Sequence, residues 1–105
     1  MQVIYKGTDI NIDSYSGLKD NRPDGECTAL LAYLTNIVEQ NPDAEIIVDL
    51  VGDAFDYCVS WTGKDIKAQF PKFTVRIIKN CCASVSPDND ADVIADLAAQ
   101  NVQVI

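Results

Sequence analysis

Histidine is absent from the 105 residues and bases are scarce: eight Lys and Arg face sixteen Asp and Glu, a net charge of −8. Without histidine, imidazole acid–base catalysis, Cys–His dyads and histidine metal ligation are all excluded. No apolar run approaches the ~20 residues that cross a bilayer. The start, MQVIYKGTDI, carries no long apolar region, so no signal peptide is legible. The four cysteines, Cys27, Cys58, Cys81 and Cys82, form no CxxC pair, which argues against a four-cysteine zinc site. Adjacent Cys81 and Cys82 are poorly placed to bridge each other and read as packing residues. A reduced, cytoplasmic protein is the expectation. There is no glycine-rich phosphate loop either, because Thr62-Gly63-Lys64-Asp65 lacks the upstream glycine. What remains is ordinary globular composition, 48% hydrophobic and 23% charged, and a length that suits one domain over 1–105.

Periodicity predicts the elements. Cys27, Leu30, Leu31, Leu34, Ile37 and Val38 recur at three- and four-residue spacing, a helix from about Asp24 to Asn41 with Asp24 as N-cap and Pro42 beyond its end. Glu45 to Val51 has a continuous apolar centre, as a strand buried on both faces of a parallel sheet has. Ile66 to Phe70 reads as the end of a helix broken by Pro71, and Phe73 to Ile78 as a strand. Ser86-Pro87 supplies an N-cap and first position for a third helix running to Asn101, and Val102 to Ile105 a closing strand. With Val3-Ile4-Tyr5 as a first strand, the order predicts an α/β fold: a small three-layer sandwich around a mostly parallel four-stranded sheet. The stretch 53–62 is ambiguous. Phe55, Tyr57, Val59 and Trp61 alternate with polar residues, as in a strand, and a turn at Gly52-Asp53 would then make a hairpin over 46–61 and an α+β, ferredoxin-like fold. A helix with Phe55, Cys58 and Val59 inward also fits.

The charge is not evenly spread. Residues 23–60 hold eight acids and no base, residues 61–80 hold Lys64, Lys67, Lys72, Arg76 and Lys79 against Asp65, and residues 81–105 hold only Asp88, Asp90, Asp92 and Asp96. Direct nucleic-acid contact needs clustered bases, which only the 64–79 block offers. Thirteen of the sixteen acids are Asp, the short carboxylate that suits Mg²⁺. In parallel sheets ligands bind outside the carboxyl ends of strands, where Asp9, Asp49, Asp53, Asp88, Asp90 and Asp92 are expected. Helix capping and turn formation account for several of these without a metal.

The segment Val3-Ile4-Tyr5-Lys6-Gly7-Thr8-Asp9, with the acidic helix Asp90-Ala91-Asp92-Val93-Ile94-Ala95-Asp96 and the closing Val102-Gln103-Val104-Ile105, resembles the PIN/NYN-like nuclease superfamily. The resemblance implies a Rossmann-like sheet and Mg²⁺- or Mn²⁺-dependent RNA cleavage, with Asp9, Asp90 and Asp92 as catalytic acids. A minimal nuclease of this kind would hold its metal with Asp9, Asp49, Asp90 and Asp92. Lys6 stands where that family places an acid, and an ammonium there repels a metal ion. The sequence therefore favours a binding module over an enzyme. Its acids Asp43, Glu45, Asp53, Asp56, Asp88, Asp90, Asp92 and Asp96 would engage a basic protein surface, as an inhibitor of a nucleic-acid-handling protein of the phage or mobile-element kind does by mimicking phosphates. No cofactor is expected in that reading. The edge strand Val102–Ile105 is a candidate for homodimer pairing.

Overall fold

The computed structural model describes all 105 residues. Helix α1 (Ala29–Gln40) leads into strand β1 (Ile47–Asp53), and a single π turn (Phe55–Val59) runs directly into α2 (Ser60–Gln69). Strand β2 (Thr74–Ala83) follows, then a 3₁₀ turn at Pro87–Asn89, α3 (Asp90–Ala99) and β3 (Gln103–Val104). The strands form one sheet in the order β1-β2-β3, parallel throughout. The α/β class with a parallel sheet agrees with the sequence reading, and the details depart from it.

The expected first strand is missing. Residues 1–9 have no regular structure, because their backbone groups lie against no strand. The sheet therefore has three strands, not four. Helix α1 starts four residues later than expected: Thr28, not Asp24, is the N-cap, its hydroxyl accepting from the Leu30 N–H at 3.2 Å. The 46–61 hairpin does not form either. Phe55 and Val59, four apart, are both buried while Tyr57 and Trp61 are exposed, and the alternation gives way to a helical turn.

One face of the sheet carries the core. Val75 and Ile77 of β2 lie beside Val48 and Leu50 of β1 and are roofed by Leu34 of α1, Ile66 of α2 and Leu97 of α3. Phe55, Ile66, Ile77 and Leu97 are essentially inaccessible, each burial stabilising by roughly 1.5–3 kcal/mol. Gly63 lets α2 approach: a Cβ there would lie 3.3 Å from Leu50 Cδ1 and 3.4 Å from Val102 Cγ1. All three helices thus pack into one core on one side, giving two layers where three were expected. No helix is long and apolar enough to cross a membrane.

Candidate active site

Beyond the C-terminal end of β1 the chain turns through Gly52, at φ +119°, and the cis peptide Asp53–Ala54 into the π turn. This is the strand–turn–helix geometry that lifts a nucleophile out of a sheet. The residue so presented is Cys58, half-buried in a cleft of about 200 Å³ with Lys6, Asp53 and Thr62 and the apolar walls Leu50, Val51 and Val59. Lys6 reaches it from the irregular N-terminal segment. Its Nζ lies 3.6 Å from Cys58 Sγ and donates to the Ser14 carbonyl at 2.7 Å, a bond that aims the ammonium.

A hydrogen bond and aromatic packing hold that segment against the π turn and α2. The Gly17 N–H donates to Thr62 Oγ1 at 2.7 Å, while the Thr62 hydroxyl donates to the Cys58 carbonyl at 2.6 Å. The Thr28 hydroxyl donates to the Gly17 carbonyl at 2.6 Å. Tyr15 packs on Tyr57 and Trp61, ring centroids 5.4 and 5.6 Å apart. Asp56, two residues before Cys58, accepts from the Val85 and Ser86 N–H groups at 3.0 and 2.8 Å and so fixes the loop after β2. Burial pushes its carboxyl up, and these N–H bonds more than offset that, leaving it below the usual carboxylate range.

The acids singled out in the sequence are dispersed. Asp49 is clamped by the Arg76 guanidinium at 2.6 and 2.7 Å, which holds its carboxyl below the usual range. Asp90 takes the Lys79 ammonium at 2.9 Å and the Ser84 hydroxyl at 2.7 Å, with the same result. Asp9 caps its own turn by accepting from the Asn11 N–H at 3.0 Å. Asp96 pairs with Lys64 at 3.0 Å. Asp43, Glu45, Asp88 and Asp92 are exposed, and only Asp53 lines the cleft with Cys58. In the basic block, Lys67 is spent on the Pro71 and Phe73 carbonyls, so with the pairs above only Lys72 is left without a side-chain bond. Nowhere do three or more Cys, Asp or Glu side chains gather as a metal would require.

The chain is thus a parallel α/β unit that brings a thiol and an ammonium together at the carboxyl end of a strand. Several solved structures resemble it. PnC1 of L. infantum, in complex with nicotinate, is 26% identical at a TM-score of 0.74, over 90% of this chain and 42% of that one. The Acinetobacter baumanii nicotinamidase/pyrazinamidase is 27% identical at 0.70, again over 90% and 42%. The yeast nicotinamidase Pnc1p, also solved with the inhibitor nicotinaldehyde, shares the fold at 22% identity and TM-score 0.78, over 95% and 43%. The chain therefore spans about two-fifths of the length of the structures it matches. No family model matches the sequence, and no curated protein sequence does.

These likenesses overturn the PIN/NYN resemblance and the nuclease reading: the strand that carried Asp9 does not form, and Asp49 and Asp90 are consumed by Arg76 and Lys79. They also overturn the reading as an acidic inhibitor and nucleic-acid mimic, since the matched proteins are nicotinamidases. As to metals, the pyrazinamidase of Pyrococcus horikoshii, 20% identical at TM-score 0.62 over 89% of this chain and 44% of that one, was solved with zinc. The residues present here do not fit one, having neither histidine nor a gathered set of acids and thiols, and nothing favours Mg²⁺ or Mn²⁺.

Cys58 and Lys6 escaped the sequence reading. In the sequence Lys6 reads as a misfit in an acidic site, and Cys58 as one residue of an ambiguous alternation. The available signal is a thiol that follows an apolar strand and its Gly52 turn.

Proposed function

We propose that this chain carries the nucleophilic part of a hydrolase acting on the carboxamide of a small pyridine-type ring, with Cys58 as the nucleophile. The observation that carries the reading is the 3.6 Å approach of Lys6 Nζ to Cys58 Sγ at the end of β1, in a fold 26–27% identical to PnC1 and to a nicotinamidase. Sulfur attack on the amide carbon gives a tetrahedral intermediate, ammonia leaves as the thioester forms, and water releases the carboxylic acid and regenerates the thiol. The Lys6 ammonium lies beside the attacking sulfur, where the Ser14 carbonyl holds it. Leu50 and Val51 offer apolar surface for the ring.

The test exploits the fact that an aldehyde is captured reversibly by a thiol. Nicotinaldehyde is expected to protect Cys58 from alkylation by iodoacetamide while leaving the exposed Cys27 and Cys81 unprotected, as read by peptide mass spectrometry. Equal labelling of Cys58 with and without the aldehyde would sink the proposal. Ammonia release from nicotinamide, falling to background in Cys58→Ser, is the matching activity readout.

A further inference from the structure

The segment that carries Lys6 is tied to the rest of the fold by little polar bonding. Apart from the start of α1 at Thr28, the hydrogen bonds that cross from residues 1–28 to residues 29–105 are Lys6 Nζ to Cys58 Sγ at 3.6 Å and the Gly17 N–H to Thr62 Oγ1 at 2.7 Å. No ion pair crosses between them. The first of these bonds is the reactive pair itself, so its geometry is set from elsewhere. Tyr15 presses the segment onto Tyr57 and Trp61, but a hydrogen bond weakens steeply with displacement and fixes register more sharply than a ring contact.

The Thr62 hydroxyl has one proton, and it goes to the Cys58 carbonyl, four residues back along the helical turn, at 2.6 Å. Toward Gly17 the oxygen can therefore only accept, and it does. One hydroxyl is thus bonded both to the backbone of Cys58 and to the stretch Ser14–Gly17, whose Ser14 carbonyl holds the Lys6 ammonium at 2.7 Å. Gly17 permits the approach: a Cβ there would lie 3.4 Å from Thr62 Oγ1 and 3.5 Å from its Cγ2. We propose that Thr62 is a positioning residue for the reaction, its hydroxyl keeping Ser14–Gly17 in register with Cys58 and so holding Lys6 at the sulfur. The proposal rests on Cys58 as the nucleophile, as argued above, and Thr62 acts through Lys6.

The test reads the pairing without requiring hydrolysis. The probe is o-phthalaldehyde, which condenses with one amine and one thiol in contact to a fluorescent isoindole, losing two waters. In the full chain it should join Lys6 to Cys58, as mapped by peptide mass spectrometry. Thr62→Val keeps the shape and removes the hydroxyl; it should slow this isoindole about tenfold, and Thr62→Ser should restore it. Amide exchange at Gly17 should speed up in Thr62→Val and Thr62→Ala alike, while slow exchange of Val75–Ile78 verifies folding. If Thr62→Val does not fold, Thr62→Ala carries the same comparison. With nicotinamide, Thr62→Val should lower kcat about tenfold, the scale on which small misplacements cost rate, with KM within about twofold. Added to Lys6→Met it should cost nothing further, because both changes remove one interaction. An isoindole rate equal to the parent's in folded Thr62→Val, or a loss in kcat that adds in full to that of Lys6→Met, would overturn the proposal. A parent that forms the isoindole, loses it in Thr62→Val and hydrolyses no amide would uphold the positioning by Thr62 and sink the chemistry proposed for Cys58.

Discussion

Lys6 has no partner in the folded chain beyond the Ser14 carbonyl and the Cys58 sulfur, and its segment belongs to no helix or strand. Its replacement should therefore cost chemistry and not folding. Lys6→Met is expected to lower kcat for amide hydrolysis about 100-fold, the usual cost of one charge-stabilising donor, with little change in KM and an unchanged circular dichroism spectrum. An equal fall in kcat and in thermal midpoint would mean that Lys6 merely anchors the segment. Arg76 and Asp49 show the contrast. Both oxygens of the carboxylate are engaged by the guanidinium, but the pair sits on the open sheet face with side chains 32% and 44% exposed. Exposed pairs contribute little, so Arg76→Gln should leave the urea midpoint nearly unchanged and lose even that small effect at high salt.

At the level of elements, the cap of α1 separates two readings of the same residues. Asp24 has the right chemistry and spacing for an N-cap, but Thr28 does the work and also donates to Gly17. Thr28→Ala should cost about 1–2 kcal/mol, toward the upper end of capping losses, whereas Asp24→Ala should be neutral within about 0.5 kcal/mol; urea titration decides. Much of this layer is legible without coordinates. Leu34 at the centre of α1, Val75 and Ile77 in β2 and Leu97 in α3 are buried where periodicity places them, because those patterns report burial directly. The stretch 55–61 misleads since a π turn has neither a two-residue nor a 3.6-residue period, and both patterns fit its few apolar positions. The pairing of Lys6 with Cys58 joins residues 52 apart in the chain; only the packing of Tyr15, Gly17 and Thr28 makes it, and no local pattern encodes such a meeting. The same holds for the acids, whose number is visible in composition while their ion pairs with Arg76, Lys79 and Lys64 depend on the register of β2 and the tilt of α3.

For the molecule as a whole, the −8 charge suggests that acid should stabilise the fold by discharging it, and the ion pairs argue the opposite. Asp20, Asp49, Asp90 and Asp96 are held below the usual carboxylate range first by hydrogen bonds from Arg22, Arg76, Lys79 and Lys64. In Asp56 the N–H bonds outweigh the raising effect of burial. A carboxyl whose folded value is depressed contributes stability that is fully present above its unfolded value, near 3.9, and is lost as pH falls through the folded one. Between the two values the unfolded chain binds more protons than the folded chain, so stability rises with pH there. Relief of self-repulsion acts over the same range, near the isoelectric point of about 4.1, but it is spread over exposed charges and screened by salt, while five carboxylates lose specific partners. The urea midpoint should thus be flat from pH 7 to pH 5 and fall steadily below about pH 4. In 0.5 M salt the fall should become shallower, since four of the five are partly exposed ion pairs, and what persists should be reduced further in Asp56→Asn, whose amide cannot accept from both Val85 and Ser86. A midpoint that instead climbs as pH drops from 5 to 3.5 would show that net charge, not pairing, governs the acid behaviour of this chain.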